Sequence, residues 1–282
     1  MHEVGLDKVL LTTVIVLSLV GIITVYSSSY WFALNLTEWR DANLFFRHHI
    51  VRVSIGFIAL VFFLKVRESL LRVAARPMLL LGLGLLILVL VPSPLRLVVR
   101  GSARWLKIGP VVFQPSEPAK IALIIYLADL IARKGYQIRE FTRGFLPPFI
   151  VVGAFVVLIA KEPNLGTALM VLLIGCIMLF AGGARIHHIL LGVSSSLTGF
   201  ILYMWKSGYN WARLVAYFDS SSGAATGYQL QQSLIAIGAG GLKGVGIGMS
   251  NQKYLFVPDA FTDFVFSITA EEIGFLGVMG LI

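Results

Sequence analysis

The sequence predicts an all-α fold, a polytopic transmembrane helical bundle with about eight spans and one large extracytoplasmic loop. Three observations predict it. The 282-residue chain is 57% hydrophobic and only 13% charged, with a mean hydropathy of +0.87. Soluble domains carry roughly a quarter charged residues, so half that fraction leaves too little polar surface to face water, while lipid accepts apolar surface. The apolar residues gather in stretches near spanning length. The basic residues, finally, crowd into alternate connections between those stretches, as the positive-inside rule requires.

The apolar stretches run approximately over 9–30, 50–66, 78–95, 118–133, 146–161, 165–182 and 186–205, with an eighth from 264 to the end. Several are shorter than the ~20 residues that a perpendicular helix needs. The first is long for the apolar core of a signal peptide and lacks an A-x-A cleavage pattern, so it reads as an uncleaved anchor. Lys65, Arg67, Arg72 and Arg76 follow the second stretch; Arg133, Lys134, Arg139 and Arg143 follow the fourth; Arg185, His187 and His188 follow the sixth. These connections share one side, and their charge makes it cytoplasmic. Arg96, Arg100, Arg104 and Lys107 nevertheless lie on the other side. That side also carries the longest loop, about 206–263, rich in aromatic residues and therefore expected to be ordered. No internal repeat is visible, and residues 1–282 read as a single membrane domain.

The net charge of +9 would suit nucleic acid in a soluble protein, but here it belongs to loops and lipid headgroups, so no nucleic acid is expected. The single cysteine, Cys176, excludes an intrachain disulfide and reads as a small buried hydrophobe. His48-His49 and His187-His188 have no carboxylate placed to complete a metal set and read as interfacial residues, so no metal ligands are expected.

Four groups of residues are candidates for chemistry. Asp263 follows Thr262 at the start of the last apolar stretch. The pair would suit an N-cap and a charge on the helix dipole; it would equally place a general base at the water–membrane boundary. Glu271 and Glu272 lie deeper in that stretch. Adjacent helical residues point about 100° apart, so at least one faces inward, as a functional group or as an interhelical tie. Glu117 and Lys120 lie in Gln114-Pro115-Ser116-Glu117-Pro118-Ala119-Lys120, where prolines mark a helix start; an i,i+3 pair is the plain alternative to a membrane-entry function. Lys161-Glu162-Pro163-Asn164 forms a sharp polar turn of the same kind. The glycines at 238, 240, 241, 244, 246 and 248 surround Lys243. They match no complete phosphate-binding motif and suit close helix packing better than a phosphate cradle.

These blocks, taken in order, resemble the SEDS family (shape, elongation, division and sporulation) of bacterial peptidoglycan polymerases. The matching residues are Arg47; Arg104-Trp105; Gln114-Pro115-Ser116-Glu117 with Lys120; Pro163 with Leu165-Gly166-Thr167; and Gly227-Tyr228-Gln229-Leu230 with Gln232-Ser233. Gly240-Gly241-Leu242, Gly246-Ile247-Gly248, Asn251-Gln252-Lys253, Pro258, Thr262-Asp263-Phe264 and Glu271-Glu272-Ile273-Gly274 complete the set. The Gly227-Tyr228-Gln229-Leu230 and Gln252-Lys253 details are closer to the division branch (FtsW) than to the elongation branch (RodA).

The resemblance implies a peptidoglycan glycosyltransferase that polymerises lipid II at the outer face of the bacterial cytoplasmic (inner) membrane and releases undecaprenyl pyrophosphate. Asp263 takes the position of the family's catalytic carboxylate. Arg47, Lys120, Lys253 and Arg104 are the implied substrate and pyrophosphate contacts, and Glu117, Glu271, Gln252 and Thr262 the residues that organise the cavity. The implied partner is a class B penicillin-binding protein, and a divalent cation, Mg or Mn, would assist through ligands that the motifs do not reveal. The chain departs from the family pattern at Phe261, where His is usual, at Asp259, where Glu is common, and at Asn164, where Asp is usual. Family members usually have about ten spans, so the resemblance also implies a C-terminally truncated chain. A lipid-precursor flippase, motivated by Glu271 and Glu272, and a scaffold for the transpeptidase are the competing functions.

Overall fold

The structure is a computed structural model that describes residues 7–36, 41–99, 102–109, 111–206, 225–254 and 262–282. Its described helices are α1 (Lys8–Leu36), α2 (Leu44–Lys65), α3 (Glu68–Leu90), α4 (Ser116–Lys134), α5 (Leu146–Lys161), α6 (Leu165–Ala181), α7 (Ile186–Lys206), α8 (Ala225–Ala239) and α9 (Val265–Leu281). All but α8 overlap the eight apolar stretches, although α2 starts six residues and α3 ten residues ahead of its stretch, so that Arg72 and Arg76 lie within α3 rather than in a connection. Five segments are long and apolar enough to cross a membrane: Lys8–Asn35, Leu44–Lys65, Glu68–Leu90, Phe141–Lys161 and Ile186–Tyr203. Leu165–Ala181 is apolar but shorter. α4 carries five charged residues and α9 two, which dilutes their hydropathy. The architecture is that of a multi-pass helical membrane protein.

Among the described residues the helical class is interrupted once. Arg96–Val99 (β1), Ser102–Ile108 (β2) and Val111–Phe113 (β3) form an antiparallel sheet in the order β1-β2-β3. Leu97 pairs with Trp105 across β1–β2, and Lys107 with Val112 across β2–β3. Within this stretch the four basic residues suggest a plain loop, but its β-branched and aromatic residues pair once Gly109, at φ +60, turns the chain between β2 and β3.

The chain divides into two compact units, 65–206 and 1–64 with 207–282. In the first, α3–α7 run up and down. Gly82 of α3 lets Ala119 of α4 approach so closely that a methyl group at Gly82 would lie 3.3 Å from the Ala119 Cα. Gly175 of α6 does the same for Val152 of α5. Small residues at such crossings are how helices pack where lipid supplies no hydrophobic drive. Around them a dry core of Leu79, Leu86, Leu123, Leu127, Phe155 and Leu179 closes.

The alternation of α3–α7 sorts the unit's ends. The starts of α3, α5 and α7 and the ends of α4 and α6 gather at one end, where the basic connections lie. A 3₁₀ turn (Gly135–Arg139) and a π turn (Phe141–Phe145) close the α4–α5 connection there. The sheet, the start of α4 and the α5–α6 turn gather at the other end. His188 is buried against the rings of Phe141 and Phe145.

In the second unit, α2 has no buried residue, as suits a helix that presents apolar side chains to lipid all round. Tyr26 and Phe32 of α1 meet Phe46 and Phe45 of α2 edge to face. α8 packs on α9 through a 2.6 Å hydroxyl contact between Ser233 and Ser267.

Candidate functional site

The second unit holds a buried polar network, built on a break in α9. Gly274 takes φ +68 inside that helix, a conformation that only glycine adopts without strain. The break leaves two carbonyls of the preceding turn to bond elsewhere: Val245 N–H donates to Glu271 O and Gly246 N–H to Glu272 O, each at 3.0 Å. In return Phe275 and Leu276 donate to the carbonyls of Gly241 and Leu242. The glycine segment 240–248 is thereby laced onto α9, and the turn that follows it is fixed.

The two glutamates complete the lacing. Glu271 and Glu272 are both buried. The Glu271 carboxylate accepts from the Ser250 hydroxyl and from the backbone N–H groups of Asn251 (3.0 Å) and Gln252 (3.4 Å). The Glu272 carboxylate accepts from Ser27 of α1 at 2.5 Å and faces the Lys253 ammonium at 3.7 Å. Lys253, itself buried, also donates to Gly248 O and lies over the Tyr254 ring, which meets Trp31 of α1 edge to face. Both acids therefore work inward. They hold the turn 250–254 and aim a lysine.

Asp263 is different. α9 starts at Val265 with Phe264 as its cap residue, and no acid lies in its first turn. Thr262 is therefore not the N-cap, and Asp263 does not complement the helix dipole, because both residues lie in a turn ahead of the helix. Asp263 is exposed, and no hydrogen bond or ion pair engages its carboxylate among the described residues. Ser27 of α1 meets Glu272 well inside α9, and Trp31 meets the turn 250–254. The end of α1 and the start of α2 share one end of the unit, where Phe32 meets Phe45. Arg47, in the first turn of α2, is paired there with Asp41, which also receives the Asn43 N–H. Gln252 keeps its side-chain oxygen buried without a hydrogen-bond partner.

The remaining candidates lie in the other unit. α4 begins at Ser116, as the prolines suggest, and Lys120 pairs with Glu117 at 2.9 Å. Arg104 of β2 reaches the α5–α6 turn, where its Nε donates to Glu162 O at 3.2 Å and its Nη2 to Pro163 O. The Ser102 hydroxyl adds a 3.3 Å bond to the same Glu162 carbonyl. Asn164 caps α6 by accepting from Thr167 N–H at 3.4 Å, so the residue that stands where the family has Asp performs a capping job. The Glu162 side chain is wholly buried, and neither carboxylate oxygen has a hydrogen-bond partner. Burial pushes its pKa up to about 7, against the opposing charge of Arg104.

The structure thus joins Gln252, Lys253 and Glu271 in one network, sets Thr262 and Asp263 ahead of the same helix, and couples Glu117 to Lys120. Sequence reasoning passed over Ser27, Asp41 and Ser250 as partners and saw Glu162 only as part of a turn. A glutamate before Pro at the mouth of two apolar stretches was the available signal for Glu162. Asp259 and Phe261 lie outside the described residues. Among the described residues no three His, Cys, Asp or Glu side chains come together to hold a metal.

A model of the FtsW/RodA/SpoVE family of cell cycle proteins matches residues 7–282. The chain belongs to that family. The probable peptidoglycan glycosyltransferase FtsW of Saccharophagus degradans is 40% identical to it over 279 residues, 98% of this chain and 71% of that protein. The stage V sporulation protein E of Bacillus subtilis is 34% identical over 272 residues, 96% of this chain and 74% of its own length. Among solved structures, a chain of a peptidoglycan synthase complex, described as coordinating polymerization and crosslinking, superposes with a TM-score of 0.74. It shares 25% identity over 99% of this chain and 74% of its own length. The rod shape determining protein RodA of Thermus thermophilus has the same fold, with a TM-score of 0.63 at 24% identity, over 100% of this chain and 72% of its own. FtsW/RodA/SpoVE membership accounts for the polytopic helical fold. It also accounts for the ordered polar blocks.

Proposed function

We propose that this protein is a peptidoglycan glycosyltransferase that polymerises lipid II into glycan strands at the outer face of the bacterial inner membrane. Relatives that carry that activity in their names support the reaction class. The observation that carries the mechanism is the contrast between its carboxylates. Glu271 and Glu272 are buried and spent on holding a turn, while Asp263 is exposed, lies outside the helix and makes no hydrogen bond or ion pair among the described residues.

In this mechanism Asp263 takes the proton from the acceptor sugar's hydroxyl as its oxygen attacks the donor's anomeric carbon. The new glycosidic bond forms as the bond to the pyrophosphate oxygen breaks, and its electron pair leaves with undecaprenyl pyrophosphate. Positive charge at the leaving group lowers that barrier. In the unit that carries Asp263, Lys253 and Arg47 supply it, and Glu271, Gln252 and Thr262 hold the surroundings. A divalent ion, Mg or Mn, would be held by Asp263 and would supply further positive charge for the leaving pyrophosphate. The glutamates that suggested a flippase are both engaged in hydrogen bonds within their own unit. A class B penicillin-binding protein is the fitting partner, since a related chain is found in a complex that couples polymerization to crosslinking.

Lipid II polymerisation in proteoliposomes tests the assignment. Asp263→Ala is expected to lower the rate by at least about 10²-fold, the usual worth of a general base, while the variant inserts and melts like the wild type. Polymerisation at the wild-type rate by a folded Asp263→Ala protein would remove Asp263 from the chemistry.

A further inference from the structure

Within the unit 65–206, α3 and α4 meet closely at Gly82 and Ala119. About three turns away, at the end that carries the basic connections, the same two helices leave an open groove of 280 Å³. Its walls are apolar. Leu71 lines it from α3 and Ile124, Ile125, Ala128 and Ala132 from α4, where the two alanines leave its floor unfilled. The other lining residues are all charged: Glu68 and Arg72 at the start of α3, and Asp129 near the end of α4. Arg72 lies 3.5 Å from Glu68, and Asp129 is paired at 2.6 Å with Arg133, one turn further along α4. The mouth of an apolar groove thus presents both signs of charge. We propose that it binds a phospholipid with a primary-ammonium head, of the phosphatidylethanolamine class. One acyl chain lies along the apolar walls, the phosphate meets Arg72, and the ammonium meets Glu68 and Asp129.

The charges decide the class of lipid. A purely anionic head, such as phosphatidylglycerol, offers a phosphate to Arg72 but nothing to the two carboxylates, whose charge opposes it. A choline head carries the positive charge without an N–H donor. A primary ammonium carries three donors, and only it can make charge-assisted hydrogen bonds to the acids. The pair of Glu68 and Arg72 does not close the site against such a head. Both side chains are well exposed, and an exposed pair of this kind contributes little, so phosphate and ammonium can take over its two halves. The position suits a headgroup too, because charged residues in the end turns of a membrane helix reach the interface while the apolar walls beyond them meet the acyl region. A second helix laid in the groove would bury Glu68, Arg72 and Asp129 at a desolvation cost, whereas a zwitterionic head brings its own countercharges.

Native mass spectrometry of the full chain in detergent tests this, with phosphatidylethanolamine, phosphatidylcholine and phosphatidylglycerol of identical acyl chains added in turn. Phosphatidylethanolamine should bind roughly tenfold more tightly than either of the others, the scale of one charge-assisted contact. Glu68→Gln, at an exposed position that leaves the fold intact, should remove most of the preference over phosphatidylcholine while phosphatidylcholine itself binds as before. Arg72→Gln should weaken all three lipids, because it removes the phosphate contact they share. A phosphatidylethanolamine with a photoactivatable diazirine in its acyl chain should label residues 121–132 of the wild type, and Ala128→Trp, which fills the groove, should lose that label. Equal affinity for the three lipids, tighter binding of phosphatidylglycerol, an unchanged preference in Glu68→Gln, or a label confined to other helices overturns the proposal.

Discussion

An acid that leaves water for a place with no donor is stable there only when neutral, and at Glu162 that condition has a measurable consequence for stability. Its pKa rises from 4.5 to about 7 because burial disfavours the anion more than Arg104 favours it. The folded-state value therefore lies above the unfolded one. The protonated form's stabilisation is complete below about pH 4.5 and is lost as the pH climbs through about 7. The shift of about 2.5 units (7 minus 4.5) corresponds to about 3 kcal/mol at the alkaline end. Glu162→Gln keeps the shape and removes the titration. Its melting temperature relative to wild type should climb by several degrees between about pH 5 and about pH 8, and parallel melting curves across that range would show that the carboxyl does not titrate there. Asp263 makes the complementary point about residues. From the residues alone, Thr262-Asp263 suited a cap before it suited a base, and the start of α9 at Val265 takes the cap position away from Thr262. Glu162 escaped notice because a polar turn between apolar stretches looks solvated until the neighbouring segments of the chain that bury it are in place.

At the scale of elements, the connection from α8 to α9 shows why a glycine count misleads. Gly238 and Gly240 are two residues apart and look equivalent in a glycine-rich run. A methyl group at Gly238, inside α8, would meet nothing within 4 Å, whereas one at Gly240 would run into the Ala270 carbonyl and the Glu271 backbone. The first glycine only loosens a helix and the second permits a crossing. Gly238→Ala should therefore stabilise the protein by about 0.5–1 kcal/mol. Gly240→Ala should destabilise it by roughly 1–3 kcal/mol, because backbone rather than a flexible side chain must move. Thermal unfolding in detergent checks both, and effects of equal sign would mean that segment 240–248 is not laced onto α9 through Glu271 and Glu272. The sequence pattern had already favoured packing over a phosphate cradle in this run. The reciprocal hydrogen bonds made possible by Gly274 were beyond it, since a positive φ inside a helix leaves no periodic trace.

For the whole molecule, hydropathy was legible almost helix by helix, because a bilayer demands long apolar segments whatever the tertiary contacts are. The sheet and α8 were less legible, since both lie in connections where pairing and packing, rather than periodicity, decide the structure. α4 is the informative middle case. Its nineteen residues rise about 28 Å, close to the hydrocarbon thickness, yet five charges deny it the composition of a span. Those charges sit at the ends. Glu117 pairs with Lys120 at 2.9 Å and Asp129 with Arg133 at 2.6 Å, and the eight residues between Lys120 and Asp129 are uncharged. Paired charges near helix ends reach the interface at modest cost, so α4 should cross the membrane with its start outside and its end in the cytoplasm. The protein offers a clean way to test this, because its one cysteine, Cys176, is buried and can be replaced by Ala to give a background free of thiols. Ile108, at the end of β2, and Tyr136, just past α4, are both exposed. An impermeant maleimide should label Ile108→Cys only from the extracytoplasmic face of sealed vesicles and Tyr136→Cys only from the cytoplasmic face. Labelling of both from one face would mean that α4 does not span. Labelling with the faces exchanged would invert the positive-inside assignment and put the sheet, with Arg104 and the Glu162 turn, on the wrong side of the membrane for a glycan polymerase.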